Sequence, residues 1–112
     1  MGQVVATPGF NLPASWVIHT VGPNRNAGQT DPALLRSAFD SSLDLARELG
    51  CSSVALPAIS AGVYGWDSRE VARIAVASAR EHAGTGEDDD WLIRFVLFSQ
   101  NLLQDFKHAL TQ

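Results

Sequence analysis

Apolar and polar positions along the chain change their period several times, and the pattern predicts strands that alternate with helices. Three segments rich in β-branched and aromatic residues have the length of strands, at Trp16–Val21, Val54–Ile59 and Trp91–Phe98. A shorter extended piece at Val4–Ala6 precedes them, and a turn-rich stretch with two prolines and a glycine ends it.

The first helix is predicted to begin after Asp31, a favourable N-cap residue, because Pro32 suits the first helical position. Gly50 suits the left-handed position that ends a helix. Between them, six residues at helical spacing form one predicted face: Leu35, Phe39, Ser42, Leu45, Ala46 and Leu49.

The second helix is predicted from Ser68 to about His82. Asp67 precedes it and Glu70 follows three residues later, which is the spacing of a capping box. Its predicted inner face consists mostly of small residues, so this helix should approach the sheet closely: Val71, Ile74, Ala75, Ser78 and Ala79. The acidic segment at 87–90 is typical of a solvated loop. A last helix carries apolar residues at helical spacing, Leu103, Phe106 and Leu110.

The predicted order β-β-α-β-α-β-α is typical of an α/β fold, in which right-handed crossovers join parallel strands. Ligands bind such sheets beyond the C-terminal ends of the strands. Three loops are therefore predicted at one edge, at 22–30, 60–66 and 99–101. They place Tyr64 and Phe98 beside one cleft, where an aromatic face can support a nucleobase or cover a sugar, although both residues also suit a plain core position.

Composition narrows the classes of function. The chain has 112 residues, a formal charge of −4, and eight Lys and Arg spread thinly, which argues against sequence-independent binding of nucleic acid. Its single cysteine, Cys51, excludes an intrachain disulfide and suits a reducing compartment. No apolar run is long enough to cross a bilayer and no signal peptide is recognisable. The sequence therefore predicts a soluble, cytoplasmic protein with no membrane partner.

The stretch after the Val54–Ile59 strand combines features of a phosphate-binding loop. Small residues, Ser60-Ala61-Gly62, follow the strand, Gly65 comes next, and a helix then begins. Loop N–H groups and the positive end of a helix can face the same phosphate, and glycines let the backbone come close to it. A tight turn whose glycines only satisfy a positive φ is an equally open interpretation.

A nucleophile is the other candidate chemistry. Ala58–Gly62 resembles a nucleophile elbow whose first glycine is replaced by alanine, which would make Ser60 the nucleophile. The arrangement needs a general base, and His108 is predicted on the last helix, away from the loop edge. His19 is expected as a half-buried strand residue, and His82 and His108 as surface residues. No metal-ligand spacing is present, so neither a metal nor a cofactor is expected.

Two motifs resemble the macrodomain family, specifically its MacroD-like branch. One is TPGFNLPA at Thr7–Ala14, followed by VIHTVGP at Val17–Pro23. The other is LPAISAGVYG at Leu56–Gly65, which resembles the second phosphate-binding loop of that family. Phe95–Phe98 resembles its last strand, and the resemblance runs from about Gly2 to Leu110, nearly the whole chain.

The resemblance implies a partial three-layer α/β/α sandwich over residues 1–112 that binds ADP-ribose or an ADP-ribosylated protein. It implies that the diphosphate lies against the loop backbone of Ser60, Ala61, Gly62, Val63, Tyr64 and Gly65. It also implies that Tyr64 packs near the distal ribose and that Phe98 lies against the adenine. MacroD-like proteins remove ADP-ribose from proteins or deacetylate O-acetyl-ADP-ribose.

In the family, further chain precedes the segment matched at Thr7. It supplies two strands, a helix, the acidic residue that reads the adenine amine, and the Gly-rich loop with the catalytic carboxylate. This sequence has no counterpart, so it resembles the C-terminal part of a macrodomain. Three hypotheses stay open: a binding module, a hydrolase that works only with the missing part, and a remnant without ligand.

The absent segment also has a consequence for the sheet. By resemblance, one absent strand lies between the Trp16–Val21 and Val54–Ile59 strands. Exposed strand edges are templates for pairing with another chain. Three outcomes stay open: the two strands close up and pair, a second copy fills the gap, or the chain aggregates. A homodimer or swapped assembly through these edges is favoured over a monomer with the family's strand spacing.

Overall fold

The computed structural model describes residues 4–9, 16–20, 22–51, 53–61, 64–82, 92–97 and 99–111. Its elements are, in order, strand β1 (Val4–Pro8), strand β2 (Trp16–Thr20), a short 3₁₀ helix (Arg25–Ala27), helix α1 (Pro32–Glu48), strand β3 (Ser53–Leu56), helix α2 (Ser68–His82), strand β4 (Leu92–Phe95) and helix α3 (Gln100–Leu110). The fold is α/β, and the predicted order of strands and helices is confirmed.

The described strands form two sheets of two strands each. Strands β3 and β4 are parallel, in a register that pairs Ser53 with Leu92 and Leu56 with Phe95. Strands β1 and β2 are antiparallel. The sequence predicts parallel pairing for strands that alternate with helices, and β3 and β4, joined through α2, pair in this way. No helix among the described residues separates β1 from β2, and a short connection suffices for their antiparallel pairing. Within the described residues no ladder joins β2 to β3.

Both predicted ends of α1 are confirmed. The Asp31 carboxylate accepts a hydrogen bond from the Ala33 amide at 3.0 Å. At the other end Gly50 has a φ of 76°, which a residue with a Cβ rarely adopts. The Cys51 amide then donates to the Ala46 carbonyl at 3.1 Å, closing a Schellman motif. The sequence thus sets the length of this helix at both ends.

Helices α2 and α3 begin with side-chain caps as well. The Asp67 carboxylate accepts from the Arg69 amide at 2.9 Å, and this hydrogen bond holds the pKa of Asp67 below its usual value. The Ser99 hydroxyl accepts from the Leu102 amide at 3.1 Å. Of the helices described, none is long and apolar enough to span a lipid bilayer.

All three helices pack on one face of the β3–β4 sheet. On that face, the Phe95 ring lies 6.4 Å from Phe39 of α1 and 5.0 Å from Phe106 of α3, between ring centroids. Helix α2 packs between α1 and α3. On the other face, Leu92 is 48% exposed and Val96 is 41% exposed. The described residues thus form part of a layered sandwich, with one face of this sheet open.

The buried faces of the helices are wider than their sequence pattern predicts. Helix α1 buries Leu35, Ala38, Phe39, Ser42, Leu43 and Ala46. Leu45 and Leu49, expected in this face, are half-buried. Helix α2 buries Val71, Ala72, Ile74, Ala75, Val76 and Ser78, whereas Ala79 is half-buried. Helix α1 packs against the strands and also against α2, and α2 packs against both α1 and α3. Each helix therefore buries more of its surface than a single packing face would.

Two ends of elements differ from prediction. Strand β3 was expected to reach Ile59 but ends at Leu56. Pro57 has no amide hydrogen to donate to a ladder, and the Ile59 amide donates back to the Pro57 carbonyl in a tight turn at 3.0 Å. Strand β4 is shorter than the strand predicted at Trp91–Phe98. The first and last residues of that predicted strand lie outside the described residues.

A polar network joins α1 to α2 along their solvent-facing seam. The Arg36 guanidinium donates to both oxygens of Asp40, at 2.9 and 3.1 Å, and also pairs with Glu81 of α2. The hydroxyl of Ser78, which is buried, donates to Asp40 as well. A buried hydroxyl needs such a partner, because an unpaired one costs about 1–3 kcal/mol.

His82 belongs to the same network and is not the surface residue that its position predicts. Its Nδ1 lies 2.8 Å from the Ser78 carbonyl oxygen, and its Nε2 lies 2.8 Å from Asp44. Both neighbours are acceptors, so only the doubly protonated ring donates to both. Partial burial opposes the charge, but these two bonds and the nearby carboxylates of Asp44 and Asp40 outweigh it, and the pKa of His82 is raised above 6.5.

This raised pKa makes the stability of the α1–α2 pair depend on pH. The contribution of His82 is fully present below the ordinary pKa of the unfolded chain and is lost as pH rises through the folded value. We expect His82→Gln to lower the free energy of unfolding more at about pH 5.5 than at about pH 8.5, as measured by urea denaturation. An Asp44→Asn variant should move the His82 titration, followed by NMR, back toward its ordinary value. If the difference in free energy of unfolding between wild type and His82→Gln is the same at both pH values, this prediction is wrong.

The two sheets approach each other at the loops that follow β2 and β3. Gly22 lies against the turn after β3, where an added Cβ would stand 2.2 Å from Ser60 Oγ and 2.4 Å from Ile59 Cγ2. A Cβ fits there only if the side chains of Ser60 and Ile59 move. Glycine at position 22 therefore allows the loop after β2 to lie close to the turn after β3.

We expect Gly22→Ala to destabilise the protein by about 1–3 kcal/mol, the usual cost of overpacking. Urea denaturation measures the loss. In a Ser60→Gly background the loss should be smaller but not zero, because the hydroxyl is gone and the Ile59 methyl stays. An unchanged unfolding midpoint in Gly22→Ala, or the same loss in both backgrounds, would show that the two loops do not press on each other here.

Candidate functional site

The loop after β2 and the loop after β3 are bound to each other by Trp66. Its ring is buried, at 3% exposure, and its Nε1 donates to the Pro23 carbonyl at 3.1 Å. The Arg25 guanidinium lies 5.3 Å from the centre of the Trp66 ring, a cation–π distance. Nearby, Gly65 faces the Asn26 side chain so closely that an added Cβ would stand 2.4 Å from its Oδ1. Trp66 thus fixes the position of the whole second loop.

A cleft of about 360 Å³ opens beside this loop, at the C-terminal ends of β3 and β4. Its walls are mostly apolar, from Pro57, Ala58, Ala61, Val96 and Leu102. Its polar side chains within the described residues are Ser68 of α2 and the pair Ser99 and Asn101 at the start of α3. Two of the three loops predicted at one edge, 60–66 and 99–101, therefore border this cleft, and loop 22–30 lies against the first of them through Trp66.

Of the seven predicted ligand-binding residues, the structure describes four. Ala61 lines the cleft. Gly65 is exposed and has a φ of 80°. Tyr64 is half-buried and packs against the core, which is the plainer of its two interpretations. Gly62, Val63 and Phe98 lie outside the described residues.

Ser60 is the fourth, and its backbone is unusual. It has a φ of 68°, whereas the other described residues with positive φ are glycines. For a residue with a Cβ this left-handed conformation costs about 1–2 kcal/mol. The Ser60 hydroxyl is buried and has no hydrogen-bond partner among the described residues. A nucleophilic serine needs a hydrogen-bonded base, and none reaches this hydroxyl in the part of the chain that the structure describes.

The electrostatics of the cleft come from the backbone. The first turns of α2 and α3 both reach it, through Ser68 and Asn101, and the N-terminal end of a helix carries a partial positive charge. The Ser68 hydroxyl donates to the Asp105 carboxylate, which ties the start of α2 to the middle of α3. The described part of the chain contains no group of three His, Cys, Asp or Glu arranged to hold a metal ion. His19, expected half-buried, is exposed. The arrangement suits an apolar ring next to an anionic group.

Sequence reasoning missed part of this site. It placed residues 99–101 at the correct edge but selected only the preceding aromatic residue, Phe98. Val96 was treated as an interior strand residue, and its exposure follows from the uncovered face of the β3–β4 sheet. The contact of Trp66 with the loop after β2 joins residues far apart in sequence, and no local pattern indicates it.

Comparison with known proteins identifies relatives over almost the whole chain. Residues 1–75 match the model of the Macro domain family. A Macro domain-containing protein of Streptomyces coelicolor is 46% identical, over 97% of this chain and 62% of its own length. One of Vibrio parahaemolyticus is 43% identical, over 99% of this chain and 63% of its own. The chain thus spans about three-fifths of the length of these curated relatives.

Solved structures agree with this. The Oceanobacillus iheyensis macrodomain, in a structure with ADP, superposes with a TM-score of 0.83 at 35% identity, over 98% of this chain and 57% of that one. The Trypanosoma brucei macrodomain in complex with ADP-ribose gives a TM-score of 0.83 at 30% identity, over 97% of this chain and 45% of its own. The chain belongs to the Macro domain family.

Proposed function

We propose that this chain binds ADP-ribose, free or attached to a protein, at the edge where the three loops meet. The diphosphate lies along the backbone of residues 60–65, and the adenosine enters the apolar cleft beside it. Tyr64 lies on the side of the distal ribose, and Phe98 on the side of the adenine. The observation that carries the proposal is the convergence of the loop after β3 and the start of α3 on one cleft of about 360 Å³.

The shape and polarity of the cleft support this ligand. Binding clefts for small molecules are mostly apolar and measure about 300–1,000 Å³, so this one suits the adenosine part. Helix N-termini and closely approaching backbone stabilise the charge of a diphosphate. Ser60 and Gly65 both have a positive φ, and strain of this kind at Ser60 persists only where the surrounding structure enforces it. The solved macrodomain of Trypanosoma brucei in complex with ADP-ribose points to the same class of ligand.

We assign binding to this chain and not hydrolysis. Removal of ADP-ribose needs a positioned water and a carboxylate near the distal ribose, and residues 60–65 contain no carboxylate. Asp67 is the nearest acidic residue in sequence, and its side chain caps α2. Any catalysis by a longer protein would therefore use a carboxylate from outside this loop.

The proposal predicts that a negative charge in the cleft abolishes binding. Ala61→Glu places a carboxylate and added bulk at the cleft wall, so we expect the affinity for ADP-ribose to fall at least about tenfold, measured by calorimetry. The matched control is Ala55→Glu, the same change at an exposed position of β3, which should leave affinity nearly unchanged. Circular dichroism confirms that both variants are folded. Full affinity in a folded Ala61→Glu protein would place the site elsewhere.

We further propose that the chain associates with itself through its strand edges. Within the described residues β2 and β3 are not hydrogen-bonded to each other, so the sheets have not closed onto one another. Each buried unpaired backbone group costs about 1–3 kcal/mol, and several would rival the total stability of a small domain, about 5–15 kcal/mol. A strand from a second copy would satisfy these groups.

Size-exclusion chromatography with light scattering tests this proposal. We expect the apparent mass to rise with protein concentration through the micromolar range. We also expect the midpoint of thermal unfolding to rise with protein concentration. A monomer of constant mass over this range, with cooperative unfolding independent of concentration, would show that the edges are satisfied within one chain.

A further inference from the structure

The 3₁₀ helix at Arg25–Ala27 lies at the end of the 60–65 loop that is farther from the cleft. The loop lines the cleft through Ala61. At its other end Gly65 meets the Asn26 side chain, where an added Cβ would stand 2.4 Å from Oδ1. In the function proposed above, the adenosine occupies the cleft and the distal ribose lies toward this other end. The distal ribose is the part of ADP-ribose that is attached to a protein, so an attached protein would pass over the 3₁₀ helix.

Hydrogen bonds within this segment hold the 3₁₀ helix in one conformation. The Asn24 side chain accepts from the Asn26 amide at 3.0 Å, and the Asn24 amide donates to Gln29 Oε1 at 2.7 Å. At the other end the Gly28 amide donates to the Arg25 carbonyl at 3.1 Å, with a φ of 89° at Gly28. A surface that is ordered before binding loses little conformational entropy when a partner binds.

Arg25 gives this surface a positive charge. Its side chain is exposed, and its guanidinium lies 5.3 Å from the centre of the buried Trp66 ring. Of the described carboxylates, none forms an ion pair with Arg25. Asp67, which follows Trp66 in the chain, pairs with Arg69 at 3.6 Å instead. A guanidinium that stacks on a ring keeps its N–H groups for a carboxylate, which it binds through two parallel hydrogen bonds.

We propose that the 3₁₀ helix with Arg25 is a contact surface for the protein that carries ADP-ribose, and that it favours carriers with acidic side chains next to the modified residue. The proposal rests on the function proposed above and adds to it the class of carrier. Nucleic acid fits this surface less well, because its backbone is bound by several unpaired cations together, and here Arg69 is already paired with Asp67.

Two peptides that differ only in charge test the proposal. Both are ADP-ribosylated on a central serine, which is flanked by glutamates in one peptide and by glutamines in the other. In calorimetric titration, wild-type protein should bind the glutamate peptide about two- to fivefold more tightly, the contribution of an exposed ion pair. Because salt screens exposed charges, this preference should shrink at about 0.5 M salt.

Variants of Arg25 show whether this side chain is the cause. Arg25→Ala should bind the two peptides about equally, and Arg25→Glu should prefer the glutamine peptide. The matched control is Arg94→Ala, which removes an exposed arginine from the open face of the β3–β4 sheet and should keep the wild-type preference. Each value is a ratio of affinities within one variant, so a shift of the 60–65 loop that weakens both peptides alike cancels. Circular dichroism confirms that each variant is folded.

The possible failures have different meanings. Equal binding of the two peptides by wild type, or an undiminished preference in folded Arg25→Ala, would overturn the role of Arg25 and leave ADP-ribose binding in place. An equal loss of preference in Arg94→Ala would trace the effect to net charge and overturn the proposed contact surface. Binding of neither peptide nor free ADP-ribose by folded wild-type protein would overturn the proposed function and this inference together.

Discussion

The close contact between the loops after β2 and β3 is the constraint on which the arrangement of the site depends. Within the described residues the two sheets share no hydrogen-bonded ladder, so they are held together by α1 and by this contact. Trp66 supplies its central part, through a bond to the Pro23 carbonyl and a ring stacked beneath Arg25. Each interaction is worth about 1 kcal/mol. Their importance is geometric, because they fix the loop at 60–65 relative to the starts of α2 and α3.

The site is built mainly from backbone and small side chains, which explains its composition. Gly22 must lack a Cβ so that Ser60 can lie against it. Ser60 in turn adopts a left-handed φ and buries a hydroxyl without a described partner. Both features cost stability, and such strain persists only where the surrounding structure enforces it. Here the surroundings are the turn after Pro57 and the packed ring of Trp66.

Much of the fold was accessible from the sequence because its signals are local. Asp31 and Gly50 delimit α1 by hydrogen bonds within a few residues, and the alternation of strands and helices gave the α/β class. The meeting of the loops after β3 and β4 followed from a general property of parallel sheets. The extra breadth of the buried helix faces and the role of His82 did not follow, because both depend on which helix packs beside which. The same holds for the cleft wall at Asn101, which a sequence pattern does not single out.

The parallel pairing of β3 with β4 has a consequence for when the site can exist. These strands meet only after all of α2 has been made, since α2 forms the crossover between them, and α3 follows both. Long-range pairing of this kind is slow compared with the local pairing of β1 with β2. During synthesis on the ribosome, α1 and the β1–β2 pair can form first. The cleft needs β3, α2, β4 and α3 together, so in a nascent chain it forms only after α3 has emerged.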